Sequence, residues 1–239
     1  ESQVLPSREL NFAGTPWKIS QYDLNALESG KQLAAGGGSL TALSIGSEAA
    51  LGSSKIQKDI LSRGADELKL VMDDGKPFQD SLQTAKAIAE AVGTIGQYDL
   101  VLCGMGSSDL YFQEVGVQVG ELLGVPALNN VTGIKPAGEG VLEVERTLED
   151  EVEVLEVPLP AVLSVSSEIN TPSVPAMRDI MRAGKKPVDK LDCQGGGEPS
   201  LRILQQLAPQ QQERRKELVE GDGEEAVDAL VRFLKKEGF

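Results

Sequence analysis

Asp99-Leu100-Val101-Leu102-Cys103-Gly104-Met105-Gly106-Ser107-Ser108-Asp109 is the stretch on which the fold turns. Its apolar run stops abruptly at glycines and hydroxyls, and Gln113–Leu123 beyond it carries helical spacing. A short apolar run bounded by glycine predicts a buried strand. A strand that passes through a glycine turn into a helix leaves free backbone N–H groups and the positive helix end near one point, where a phosphate can sit. Gly104 and Gly106 let a ligand approach the backbone closely. Ser107 and Ser108 can donate hydrogen bonds, and Asp109 can accept one from a ribose or cap the turn. The same residues also suit an ordinary strand-to-helix turn. No Gly-Lys-Ser/Thr follows, which disfavours a P-loop nucleotidase.

Working outward, the same alternation repeats. Upstream, Leu40–Ile45 and Leu68–Met72 read as buried strands, and Glu48–Ser62 and Ser81–Thr94 as helices. Strand and helix in alternation imply parallel pairing. Ser20 suits the N-cap of an earlier helix with Leu24, Leu27 and Leu33 on one stripe. Residues 1–19, punctuated by Pro6, Gly14 and Pro16, read as an extended, hairpin-like lead-in. Downstream the character changes. Asn129–Ile134, Val141–Arg146, Val152–Val157 and Ala161–Val165 are strand-like, and the period of two around Glu143–Arg146 and Glu151–Val154 marks half-exposed antiparallel strands. A proline-rich loop follows Asn170, then a short helix near Ala176–Ala183, a glycine-rich linker over residues 190–200, a charged stretch at Gln210–Glu220 and an amphipathic helix over Glu224–Lys236. The expectation is an α/β protein with a mostly parallel sheet and helices on both faces, an antiparallel strand insert and a C-terminal arm. Residues 1–190 form its main domain, and residues 191–239 its linker and arm.

Composition removes several functions. A net charge of −14 over 239 residues gives no electrostatic reason to bind nucleic acid or an anionic membrane, and suits a basic protein partner. Histidine is absent, which removes the commonest general base and zinc ligand and argues against a metal site or a hydrolase. No apolar run reaches the ~18 residues of a membrane span. Cys103 and Cys193 suggest no disulfide framework, which fits a reducing, cytoplasmic setting. No base–nucleophile pair is evident, so no catalytic residue is assigned.

From Lys18-Ile19-Ser20-Gln21-Tyr22-Asp23-Leu24-Asn25-Ala26 through Leu61-Ser62-Arg63-Gly64-Ala65-Asp66, Gly104 to Pro126, Arg146-Thr147-Leu148-Glu149-Asp150 and Pro175 to Pro187, the chain resembles the beta subunit of electron transfer flavoproteins. It looks closest to the Fix-type branch, which also tends to share the tail Glu220-Gly221-Asp222-Gly223-Glu224-Glu225. The resemblance implies a Rossmann-like fold of the adenine nucleotide alpha hydrolase kind and an electron-carrier subunit rather than an enzyme. It implies a heterodimer with an alpha subunit that holds the redox FAD, and electron exchange with an acyl-CoA-type dehydrogenase or reductase. Anaerobic metabolism and electron bifurcation are further possibilities in that branch. The beta site would hold AMP or a second FAD on Gly104, Gly106, Ser107, Ser108, Asp109, Gln113, Val115 and Gly116. Val174, Pro175 and Met177 fall where the family carries a partner-docking loop, although a valine between Ser173 and Pro175 can equally pack locally. Lys185 and Lys186 suit a solvated helix end or the same surface. The final helix, with Ala226, Val227, Leu230, Val231 and Leu234 on a stripe, is expected to reach the partner subunit. The alternative is a free-standing adenine-nucleotide-binding regulatory module like universal stress proteins.

Two departures accompany the resemblance. Leu110-Tyr111-Phe112 stand where the family carries acidic residues. The family's opening apolar strand and its Val-Pro-Asp-like turn also lie before the point where this sequence begins. That strand would be central in the sheet, so a chain lacking it is expected to fold poorly.

Overall fold

A computed structural model describes residues 3–11, 14–72, 80–107, 110–193, 197–210 and 218–238. The chain divides into two compact units, one of residues 1–15 with 205–239 and one of residues 16–204. In the first, β1 (Gln3–Val4) and β2 (Leu10–Asn11) form an antiparallel hairpin. Its turn is closed by Leu5 N–H to Glu9 O at 2.9 Å and Arg8 N–H to Leu5 O at 2.8 Å. Glu9 bridges to Leu207 of the returning chain. The hairpin-like lead-in is therefore observed.

The second unit runs α1 (Gln21–Ala34), β3 (Thr41–Gly46), α2 (Glu48–Leu51), α3 (Ser54–Ser62), β4 (Glu67–Met72), α4 (Ser81–Ile95) and β5 (Leu100–Gly104). It continues through α5 (Val115–Leu123), β6 (Ala127–Gly138), β7 (Val141–Thr147), β8 (Val152–Pro158), β9 (Ala161–Val165), α6 (Met177–Ala183) and β10 (Val188–Lys190). One sheet has the order β10-β4-β3, all parallel; the other has the order β5-β9-β6-β7-β8, parallel from β5 to β6 and antiparallel beyond. The α/β class, the parallel pairing and the antiparallel insert are as expected, within a Rossmann-like fold.

Strand β9 is buried along its whole length, as a strand between two parallel neighbours is. Its residues alternate between two cores. Ala161, Leu163 and Val165 join Ala26 of α1 with Val131 and Val144. Val162 joins Val119 of α5 and Ala85 of α4 on the other side. Helices therefore cover both faces. A Cβ on Gly116 would overlap Ser164 Oγ, and one on Gly120 would overlap the Ala127 Cβ. These two residues, one turn apart, let α5 lie directly on β9 and β6.

Several boundaries differ from expectation, each for a local reason. The single helix expected over Glu48–Ser62 is two, because Ser53 is extended (φ −69°, ψ 117°) and Gln57 Nε2 donates to the freed Leu51 carbonyl at 2.7 Å. Gln113 has φ 60°, so α5 starts at Val115 rather than at Gln113. Strand β6 is longer than expected because it serves two partners, β9 and then β7, with its register shifting between Leu128 and Val131, where Asn130 has φ 56°. Residue 190 belongs to a strand and not to a linker: β10 completes the edge of β4, flanked by Leu68 N–H to Pro187 O (3.0 Å) and Leu191 N–H to Leu70 O (2.8 Å). Residues 197–201 are likewise held, since Asp80 accepts from the Ser200 and Leu201 N–H groups and Gln83 Nε2 donates to Gly197 O. The Ser20 N-cap position is observed, but without a side-chain cap hydrogen bond. The final helix, α7 (Glu224–Glu237), belongs to the first unit and has no buried residue.

Candidate functional site

Strand β5 ends at Gly104, and Met105 N–H continues the ladder to Val165 O at 2.9 Å. The first turn of α1 packs straight onto this end: a Cβ on Gly104 would lie 2.9 Å from both Asp23 N and Tyr22 C. Beyond it, a Cβ on Gly106 would lie 2.9 Å from the Tyr111 ring. Close backbone approach therefore requires glycine at 104, whereas at 106 the neighbour is a side-chain ring. Tyr111 (φ 53°) and Gln113 (φ 60°) both take left-handed backbone, a conformation that costs energy and gathers at functional loops.

These elements border an open recess of about 400 Å³ lined by Gln21, Tyr22, Ser107, Tyr111 and Ser167. It lies past the carboxyl ends of β5 and β9, where open α/β sheets bind ligands, and its volume suits a small molecule. Tyr22 and Tyr111 pair with ring centroids 5.7 Å apart and planes at 35°. The hydrogen bond to Tyr111 holds the Tyr22 phenol above its ordinary range. Ser20 Oγ is buried and has no hydrogen-bond partner among the described residues. Asp23 keeps an open edge to solvent, yet dense protein around its carboxyl pushes it above the carboxylate range, and the Gly104 N–H offsets this only in part. Burial, with Asp23 beside it, pushes the Cys103 thiol up to about 12. Cys103 is thus a neutral packing group and no nucleophile.

Of the residues expected at the site, Gly104, Gly106, Ser107 and Gln113 gather along this loop. Ser108 and Asp109 lie outside the described residues. Val115 opens α5 and packs in the α4–α5 core, and Gly116 faces Ser164, so the side-chain position of each serves packing. Their backbone N–H groups lie in the first helical turn, which has no helical acceptors. Gln21, Tyr22, Tyr111 and Ser167 were not expected. Ser20-Gln21-Tyr22 carries a helix start and part of the family resemblance but no site signal of its own, and nothing local ties Ser167 to a turn some 60 residues away. No lysine or arginine lines the recess among the described residues. Its hydroxyls, the Gln21 amide and the aromatic pair suit a nucleoside with few charges better than a polyphosphate.

A second feature lies on α6 and the loop before it. Val174 is 91% exposed, and Met177 and Met181 stand exposed one turn apart. Local packing of Val174 is excluded by that exposure. Lys186 is not a solvated end: its Nζ donates to the carbonyls of Leu61 (3.0 Å) and Ala65 (2.5 Å) at the close of α3.

Residues 10–194, which include both features, match the family model of the electron transfer flavoprotein domain. The chain belongs to the electron transfer flavoprotein family. Electron transfer flavoproteins are flavin-associated electron carriers rather than enzymes. Their chemistry resides in the flavin, to which the protein contributes position and electrostatics. Among the described residues of this electron transfer flavoprotein chain, no helix is long and apolar enough to cross a membrane.

Proposed function

We propose that this chain is the beta subunit of a heterodimeric electron transfer flavoprotein of the Fix-type branch. In this role it shuttles electrons between an acyl-CoA-type dehydrogenase or reductase and a redox partner in the cytoplasm. The observation that carries it is the recess lined by Gln21, Tyr22, Ser107, Tyr111 and Ser167 beyond the end of β5, within the matched region. The recess takes an adenine nucleotide, AMP or a second FAD. Gly104 and Gly106 provide backbone access, Ser107 provides a hydroxyl donor, and Ser108 and Asp109, next in the sequence, belong to the same proposed set. The N-terminal N–H groups of α5, at Val115 and Gly116, favour a single phosphate. The Tyr22–Tyr111 pair supplies apolar ring surface of the kind that stacks on a purine. The redox FAD belongs mainly to the alpha subunit. Val174, Pro175 and Met177 dock the dehydrogenase: an exposed apolar anchor beside prolines loses little entropy on binding.

The test is co-expression with an alpha-type flavin subunit, followed by identification of the nucleotides released from the purified complex. One flavin on the partner plus one adenine nucleotide retained by this chain is expected. A stable, colourless monomer that binds ATP by itself and ignores the flavin subunit would establish the free-standing module instead.

A further inference from the structure

Helix α1 carries a polar face where a core-facing face is expected. Asn25, Glu28 and Ser29 are buried, with Asn25 fully so. Burying an amide and a carboxylate is unfavourable unless each finds partners. They find them in one segment, residues 167–173. Asn25 Nδ2 donates to Asn170 O at 2.7 Å and to Asn170 Oδ1 at 3.1 Å. Asn170 Nδ2 returns bonds to Asn25 O (3.1 Å) and Ser29 Oγ (2.8 Å). Glu28 Oε2 accepts from the Ser173 N–H at 3.2 Å and from Ser173 Oγ at 2.7 Å, and Lys31 Nζ donates to Ser173 Oγ at 2.8 Å. The Lys31 stem is itself packed against Gly64, whose Cβ would lie 2.9 Å from it. Burial pushes the Glu28 carboxyl up, but the donors from Ser173, Gln32 and Lys31 outweigh it and hold the group ionised below its ordinary range.

The residue after Ser173 is the exposed Val174. We infer that Asn25, Glu28 and Ser173 are positioning residues for partner docking: their clasp holds the base of the loop so that Val174 and Met177 are presented in one fixed arrangement. This rests on the proposal that Val174 anchors the partner dehydrogenase. The clasp lowers the ordering entropy that docking otherwise costs, without any of the three side chains serving as the apolar anchor. Pro172 and Pro175 stiffen the segment on either side of the clasped serine.

The experiment uses the full heterodimer, with an acyl-CoA dehydrogenase that the parent complex oxidises as the probe. Glu28→Gln and Ser173→Ala are made singly and together. Glu28→Gln is expected to raise the KM for that dehydrogenase about tenfold, because a neutral amide oxygen accepts from Ser173 more weakly than the carboxylate does. The kcat and the retained nucleotide should stay unchanged, and amide exchange across residues 171–176 should speed up. The double variant should be no worse than Glu28→Gln alone, because the two side chains act through one contact. Ser173→Ala keeps the fold intact if Glu28→Gln does not, and carries the same expectation. A KM unchanged in both variants while Val174→Ala raises it overturns the inference and leaves the docking anchor standing. A KM unchanged in all three overturns the docking proposal, and the inference with it.

Discussion

Gly116 is constrained by one neighbour. A methyl group there overlaps Ser164 Oγ in the buried seam between α5 and β9. Gly116→Ala should therefore cost about 1–3 kcal/mol by overpacking, read as a lower urea midpoint. Ser164→Gly in the same chain should recover most of the loss, and failure to recover would mean that strain elsewhere is responsible. Gly106 is a different case, since its neighbour is the exposed Tyr111 ring at 2.9 Å from the added Cβ. Gly106→Val should push that ring aside, narrow the recess and reduce the nucleotide retained per heterodimer, with little change in the unfolding midpoint. Full occupancy in that variant would remove the nucleotide from this loop. In the sequence both residues are simply glycines near a turn. That one answers to a strand and the other to an aromatic ring depends on residues outside their local run.

At the scale of elements, Asp80 joins two segments. Its carboxylate caps α4 by accepting from Gln83 N–H at 2.6 Å, and it also accepts from the N–H groups of Ser200 and Leu201. Burial pushes this carboxyl up, but the backbone donors outweigh it and hold it below the carboxylate range. A depressed native value stabilises the fold above the unfolded pKa of about 4. That stabilisation is lost as pH falls through the lower native value. Acid unfolding of the parent should steepen below about pH 4, and Asp80→Asn should flatten that part of the profile. Asp80→Ala should cost about 1 kcal/mol as a lost cap and should expose residues 197–201 to proteolysis first. An uncut tail in that variant would show that Gln83 holds it alone.

For the whole molecule, exposed apolar groups set the outlook. Val227, Leu230, Val231 and Leu234 form an open stripe on α7, a patch of the kind that marks an interaction surface. The isolated chain should self-associate, and the flavin subunit should suppress this. Leu230→Glu should weaken the heterodimer while leaving nucleotide retention unchanged; a heterodimer of parental affinity would mean that α7 serves another surface. On the opposite count, Val174→Ala should slow electron transfer with the dehydrogenase by about 1–2 kcal/mol, with flavin content and spectrum unaltered. Lost flavin in that variant would place the loop in the subunit core instead.

The sequence by itself determined the alternation of strands and helices, the glycine turn after β5, the antiparallel insert and the amphipathic C-terminal helix. All of these are written in the local period of apolar residues and in glycine and proline punctuation. Tertiary structure alone decided that β9, late in the chain, sits between β5 and β6. It alone brought Ser167 to the recess and turned the polar stripe Asn25, Glu28 and Ser29 inward. In the sequence the helix is marked only by the apolar stripe of Leu24, Leu27 and Leu33. The polar stripe is buried because Asn170 and Ser173, more than 140 residues away, satisfy its hydrogen bonds. Local periodicity records which side of an element is apolar. Which distant segment satisfies the polar side is fixed only when chain closure and burial are settled together.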